Sequence, residues 1–136
     1  MNKKRILSIV LTLFGLGIIG SLIIYKKVIN PAHREIAKEV TDFTIDVDDL
    51  QFHFLNNPEE ATSKYVDKVI ETYGTVTEVG SNLVVFEEKV QGNFLEANNQ
   101  NIAVGDNIRI KGRCVGFDEF LLLVKIDQVT TIKINQ

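Results

Sequence analysis

Residues Ile6 to Tyr25 are twenty consecutive positions without a charge, bracketed by Lys3-Lys4-Arg5 and Lys26-Lys27. As a helix rising about 1.5 Å per residue, the run reaches about 30 Å, the hydrocarbon thickness of a bilayer. Thirteen of the twenty are Ile, Leu, Val or Phe, and each favours insertion by roughly 0.3–0.6 kcal/mol near a helix centre. The first 27 residues therefore read as an uncleaved transmembrane anchor with basic flanks. A cleaved signal peptide is the alternative, but its apolar region is about 7–15 residues long and ends at a small-x-small site. Here the apolar run continues to Ile24 and meets Tyr25-Lys26-Lys27.

Within this run Gly15-Leu16-Gly17-Ile18-Ile19-Gly20 spells G-x-G-x-x-G, with Glu39 downstream in the place of a ribose-binding acid. A dinucleotide fold would need a strand ending at that acid and further βαβ units. Pro31 to Val40 has helical composition instead. Gly17 and Ser21, four apart, suit close packing of two anchors, which makes a homodimer through that face an expectation. Three basic residues precede the span and two follow it. Cytoplasmic flanks are enriched in Lys and Arg, so the expected topology is a single pass with the C-terminal domain outside the cytoplasm.

Beyond Lys27 lie 109 residues, in which ten Lys and Arg face eighteen Asp and Glu, a net charge of −8. That length suits one compact core. The acidic balance counts against nucleic-acid binding, which draws most of its affinity from neutralising phosphates. The single cysteine, Cys114, has no partner for an internal disulfide.

Residues 28–64 read as a helical linker and cover. A short helix is expected from Asn30-Pro31 to Val40, then an extended link at Asp42–Ile45. Asp46 should cap a helix from Val47 to Leu55 that turns Val47, Leu50 and Phe54 to one face. Asn57-Pro58-Glu59-Glu60 should open the next helix, with proline at its first position and acids near the positive end of the dipole.

Residues 65–136 read as strands. Lys68 to Val79 is rich in Val, Ile, Thr and Tyr, and Gly74 is the expected site of a bulge that bends it. A turn at Gly80-Ser81-Asn82 leads to strands at Leu83–Phe86 and Val90–Leu95. A polar loop at Asn98–Asn101 and a turn at Val104-Gly105-Asp106 precede a strand from Asn107 to Val115. There Ile108, Ile110, Gly112 and Cys114 alternate with Arg109, Lys111 and Arg113, which fixes the inward face. Gly116–Glu119 should turn the chain into a last strand from Phe120 to Ile134. The expected fold is mainly β: a small five-stranded OB-like barrel, drawn as a meander, preceded by short helices and an N-terminal transmembrane helix.

The stretch Tyr65–Glu71 with Gly74–Val79, followed by Val104-Gly105-Asp106, Lys111–Phe117 and Val124–Gln128, resembles the tRNA_anti-like family of bacterial OB-fold proteins. The resemblance spans about Asp42 to Ile132. It implies an OB barrel and a short exported or membrane-anchored bacterial protein, here of the inner membrane with its domain periplasmic or extracellular. It defines no catalytic residues, and fold alone does not assign function.

Arg109, Lys111 and Arg113 form a cationic ladder, and with Tyr73 they make the best candidate ligand surface. The bland alternative is a solvated face paired with acids such as Glu71 or Asp127. Tyr73, Phe86 and Phe94 are the candidate stacking aromatics, although with so few aromatics overall core packing is the favoured reading for the two phenylalanines. His33 and His53 lack the spacing of a zinc site, and His53 should pair with Asp49 on the helix surface. Asp46, Asp48 and Asp49 lack the glycine and distal glutamate of a calcium loop. No cofactor, metal or catalytic set is expected. The reading is a non-enzymatic, membrane-anchored OB module that presents an acidic domain to a protein or small polar ligand. Its alternatives are a single-stranded nucleic-acid binding domain, or an assembly protein acting through anchor and helices.

Overall fold

The computed structural model describes residues 2–29, 34–97 and 101–132. The chain divides into two compact units, residues 1–34 and 35–136. In the first, α1 (Lys3–Ile29) is a continuous helix, and its Lys3–Tyr25 stretch is long and apolar enough to cross a membrane. None of that stretch is buried, so nothing within the unit shields its apolar side chains from the surroundings. Gly17 lies open, with no atom within 4 Å of where a Cβ would stand.

The second unit begins with a 3-10 turn (Ile36–Lys38) and β1 (Phe43–Asp46), then α2 (Val47–Asn56) and α3 (Pro58–Tyr65). Five further strands follow: β2 (Val69–Val79), β3 (Leu83–Phe86), β4 (Val90–Asn93), β5 (Asn107–Asp118) and β6 (Leu123–Ile132). Both helix starts form as their residues dictate. The Asp46 side chain accepts from the Asp48 N–H, and Asn57 Oδ1 accepts from the Glu60 N–H at 3.4 Å. Each supplies an acceptor for an N–H that has no partner in a helix's first turn. Val47, Leu50 and Phe54 of α2, with Ala61 and Tyr65 of α3, are buried against the barrel.

Strands β2 to β6 close into a barrel by the pairing of β2 with β5, with β1 as an additional strand. The expected meander is corrected. β4 does not pair with β5; it pairs in parallel with β6, while β5 lies between β6 and β2. The residues around Phe43 form a true strand, parallel to β2 with Phe43 opposite Ile70. Inside the barrel, Val84, Phe86, Val90, Ile110, Cys114, Val124 and Ile126 form the core. Ile110, Gly112 and Cys114 are buried as their alternation requires, and Ile108 is half-buried.

Gly74 is not the bend. It pairs regularly with Ile108, and the bulge of β2 falls at Thr77, the extra residue between the Val76–Phe86 and Glu78–Val85 pairs. A Cβ at Gly74 would stand 2.8 Å from Val47 Cγ2, so this glycine admits α2 against the sheet. Gly112 is likewise a close-contact position, 2.5 Å from Ile126 Cγ2 and 2.8 Å from the Asp127 carbonyl by the same construction. It lies opposite a bulge carried by the other strand, where Gln128 and Val129 of β6 intervene between the partners of Lys111 and Arg113.

Four boundaries also move. Gly116–Glu119 is not the turn: β5 runs on to Asp118 through a bulge at Val115-Gly116, where Gly116 has φ +146°, and residues 119–122 make the turn. Phe120 therefore stands in that turn, and the last strand begins at Leu123. The third barrel strand stops at Asn93. The helix expected up to Val40 is only the 3-10 turn, with Ile36 buried and Val40 87% exposed. Asn30 to His33, Asn98 to Gln100 and residues 133–134 of the expected last strand lie outside the described residues.

Candidate functional site

On β5 the outward positions carry Arg109, Lys111 and Arg113, and β2 brings Tyr73 opposite Arg109 and Glu71 opposite Lys111. The four candidate residues are thus neighbours on one barrel face, and each cation has a partner. The Arg109 guanidinium stands 5.0 Å from the Tyr73 ring centroid and 3.5 Å from Glu71 Oε2. Arg113 grips Asp127 with two hydrogen bonds of 3.0 and 2.6 Å and also reaches Asp67 at 3.6 Å. The acids named from sequence as alternative partners, Glu71 and Asp127, make these pairs.

Lys111 does something the sequence does not announce. Its ammonium donates to the carbonyls of Ala37, at 3.4 Å, and Glu39, both at the 3-10 turn. The segment 35–42 is laid across the outer face of the barrel as a strap. Ile36 is buried beneath it, Thr41 Oγ1 donates to Glu71 Oε1 at 2.9 Å, and Asp42 exchanges hydrogen bonds with the backbone of Val69. The 3-10 turn leaves carbonyls without helical partners, and a flexible cation on the facing strand satisfies them. Of the three cations of the ladder, Lys111 is the one that fastens the chain's own strap.

The face made by β3 and β4 is different. Val84 and Phe86 on β3 and Val90 and Gly92 on β4 point inward, so Leu83, Gln91 and Asn93 point outward, beside Thr77 of β2. Gln91 Nε2 donates to Asn93 Oδ1 at 3.0 Å. Lys125, opposite Gln91 on β6, is paired with Asp118 at 2.8 Å. That hydrogen bond and the turn amides hold the Asp118 carboxyl below its ordinary range. This surface offers neutral hydrogen-bonding groups. Phe86 is core, and Phe94 packs against the core at its edge.

Two reactive side chains are committed to structure. Burial pushes the Cys114 thiol from 9.0 up to about 12, which removes its thiolate from the physiological range. His53 does not pair with Asp49. Its Nδ1 lies 2.7 Å from Tyr65 Oη, with the two rings stacked, in a cleft of about 110 Å³ between α2 and α3. The helix spacing that suggested Asp49 is overridden because α3 folds back and brings Tyr65 to the same face. Among the described residues no group of three or more His, Cys, Asp or Glu is placed to hold a metal. His33 lies outside the described residues.

Sequence reasoning missed one more surface. The β5–β6 hairpin exposes Phe120, Leu121 and Leu122. Asp118 Oδ1 accepts from the N–H groups of Phe120 and Leu121 at 3.0 and 3.1 Å. An aspartate two and three residues before those amides is the local signature of an Asx turn, and it was the available signal.

A family model described as tRNA_anti-like matches residues 1–128. No curated protein matches the chain. Among solved structures, the chain is similar to a lipoprotein of Klebsiella pneumoniae provisionally named as nucleic acid-binding. The identity is 14% and the TM-score 0.49, over 76% of this chain and 100% of that one. A likeness of that size decides nothing about a ligand.

Proposed function

The chain belongs to the tRNA_anti-like family, and from that premise we propose that it is a membrane-tethered, non-enzymatic OB-fold binding module. Its anchor is α1, its barrel stands outside the cytoplasm, and its ligand is a protein segment or a small polar molecule. In OB barrels the ligand face is formed by the second and third barrel strands and the loops that flank them. Here the strands are β3 and β4, with the turn at Gly80–Asn82 beside them. The observation that carries the reading is the chemistry of this face. It presents the amides of Gln91 and Asn93, its neighbouring cation Lys125 is held by Asp118, and the three β5 cations are engaged within the domain. Such a surface suits peptide groups and neutral polar ligands, whereas a phosphate backbone calls for available cations and stacking aromatics. The non-enzymatic part of the reading is supported by the two groups just described, a thiol held protonated and a histidine tied to a buried tyrosine.

The test uses the full chain in detergent. Labelled single-stranded RNA and DNA should show no binding that strengthens at low salt. A photo-crosslinking side chain at Gln91 should capture a defined protein or peptide in cells, whereas one at Ser63 on α3 should not. Oligonucleotide binding that weakens steeply with salt and is lost on Gln91→Ala would transfer the assignment to nucleic acid, because counterion release gives that dependence. A cysteine introduced at Asn99 should react from the outer side of intact cells, and reaction only after lysis would reverse the topology.

A further inference from the structure

We propose that the β5–β6 hairpin is a second membrane contact, with Phe120, Leu121 and Leu122 dipping into the interfacial layer of a lipid bilayer. The inference rests on the reading of α1 as an anchor. Phe120 is 99% exposed, and Leu121 and Leu122 are about half exposed, in three consecutive apolar positions at the tip of an ordered turn. Leu122 is held at φ +56°, a left-handed conformation that a leucine seldom adopts. The fold thus maintains local strain to present side chains that contribute little to its own core.

The backbone chemistry of the tip suits it to a lipid layer. Water or a protein partner can bond free amides, but an apolar membrane layer cannot, so a segment that enters one must satisfy its polar groups internally. The N–H groups of Phe120 and Leu121 are both bonded to Asp118 Oδ1, and the Leu122 carbonyl accepts from Gln51 Nε2 of α2 at 2.6 Å. Asp118 is itself neutralised by Lys125 at 2.8 Å. Glu119, exposed beside the tip, sets the depth, since its carboxylate must remain among headgroups. The helix bonded to the hairpin adds Phe52 and Leu55, both at least half exposed.

Tether length makes the contact attainable. From Ile29 at the end of α1 to Glu35 at the start of the second unit there are six Cα steps, which span at most roughly 20 Å. A domain of this size has a radius of gyration of about 13 Å. A link this short holds the barrel beside the bilayer that a spanning helix would cross, and an apolar tip with bonded amides is a part of its surface that gains by contact with it.

The chain contains no tryptophan, so a single substitution supplies a clean reporter. Full-length Phe120→Trp is reconstituted in phosphatidylcholine vesicles, with Leu121→Trp as a second tip probe and Phe14→Trp as an anchor probe. Protection of the Cys114 thiol serves as the check on folding. The expected result is that brominated lipids quench both tip probes roughly twofold, as for a ring about 5–10 Å into the headgroup boundary, while aqueous iodide does not. If Phe14→Trp is quenched by lipid but the tip probes respond only to iodide, the inference is overturned and the anchor stands. If Phe14→Trp is not quenched, the anchor reading fails and the inference with it. Tip probes shielded from both quenchers would show that a second copy or a protein covers the hairpin, which also overturns the inference.

Discussion

Replacing Gly74 with alanine tests whether this glycine bends a strand or admits a helix. The new Cβ would stand 2.8 and 3.2 Å from the two γ-methyls of Val47 and 3.1 Å from Glu87 Oε1, against an optimum of about 3.5–4.0 Å between carbons. Overpacking of this kind costs about 1–3 kcal/mol, and the lower entropy of an unfolded alanine returns about 0.4–1 kcal/mol. The net loss should be about 1–2 kcal/mol. Val47→Ala removes two fully buried methyl groups, worth about 0.8 kcal/mol each plus a cavity term, so about 2–3 kcal/mol. If the changes were independent, the double variant would lose about 3–5 kcal/mol. Instead, truncating Val47 removes the atoms that the new Cβ strikes, and that Cβ refills part of the void. Gly74→Ala/Val47→Ala should therefore lose no more than Val47→Ala alone, a coupling of about 1–2 kcal/mol. The assay is urea denaturation of the full chain, read by pulse labelling of Cys114. That residue is the only cysteine and is 1% exposed when folded. Additivity within about 0.5 kcal/mol would refute the contact argument.

Thr72 Oγ1 is buried among the barrel side chains without a hydrogen-bond partner, so Thr72→Val should stabilise the domain by about 1 kcal/mol, raising Tm by about 4–8 °C in a thermal melt. The folded state holds the Cys114 proton up to about 12 where the unfolded thiol loses it near 9.0. The stability this group contributes is complete below pH 9 and is lost as pH rises through that window, by up to about 1.4 kcal/mol per unit. Denaturation curves of Cys114→Ala should lack that share of the alkaline slope, and an identical slope would show the thiol to be accessible. Lys111→Met should loosen the strap, seen as faster hydrogen exchange at residues 35–41 with the exchange of β5 and β6 little changed. Ile36→Ala should act more strongly, by about 2–4 kcal/mol, because it empties a buried site.

Short-range patterns in the sequence carried through to the structure. The uncharged run makes one long helix, Asp46 and Asn57 cap the helices they precede, and the alternation on β5 sets which side chains enter the barrel. These features depend on neighbours a few residues apart, whose spacing the chain itself imposes. The OB barrel as a class was legible for the same reason, through strand lengths and turn residues. What the tertiary structure alone decided are pairings between distant segments: β1 along β2, β4 beside β6, Tyr65 against His53, and the strap across the cationic ladder. Each of these is a choice among several strands, acids or aromatics of similar local preference. That choice is settled by the sum of many small burial and hydrogen-bond terms across the whole barrel, and no local window contains that sum. The role of Arg109, Lys111 and Arg113 shows the consequence. Their residue type and spacing announced a charged face with Glu71 and Asp127 as candidate partners, and only the fold showed that Tyr73 and the strap carbonyls engage it as well.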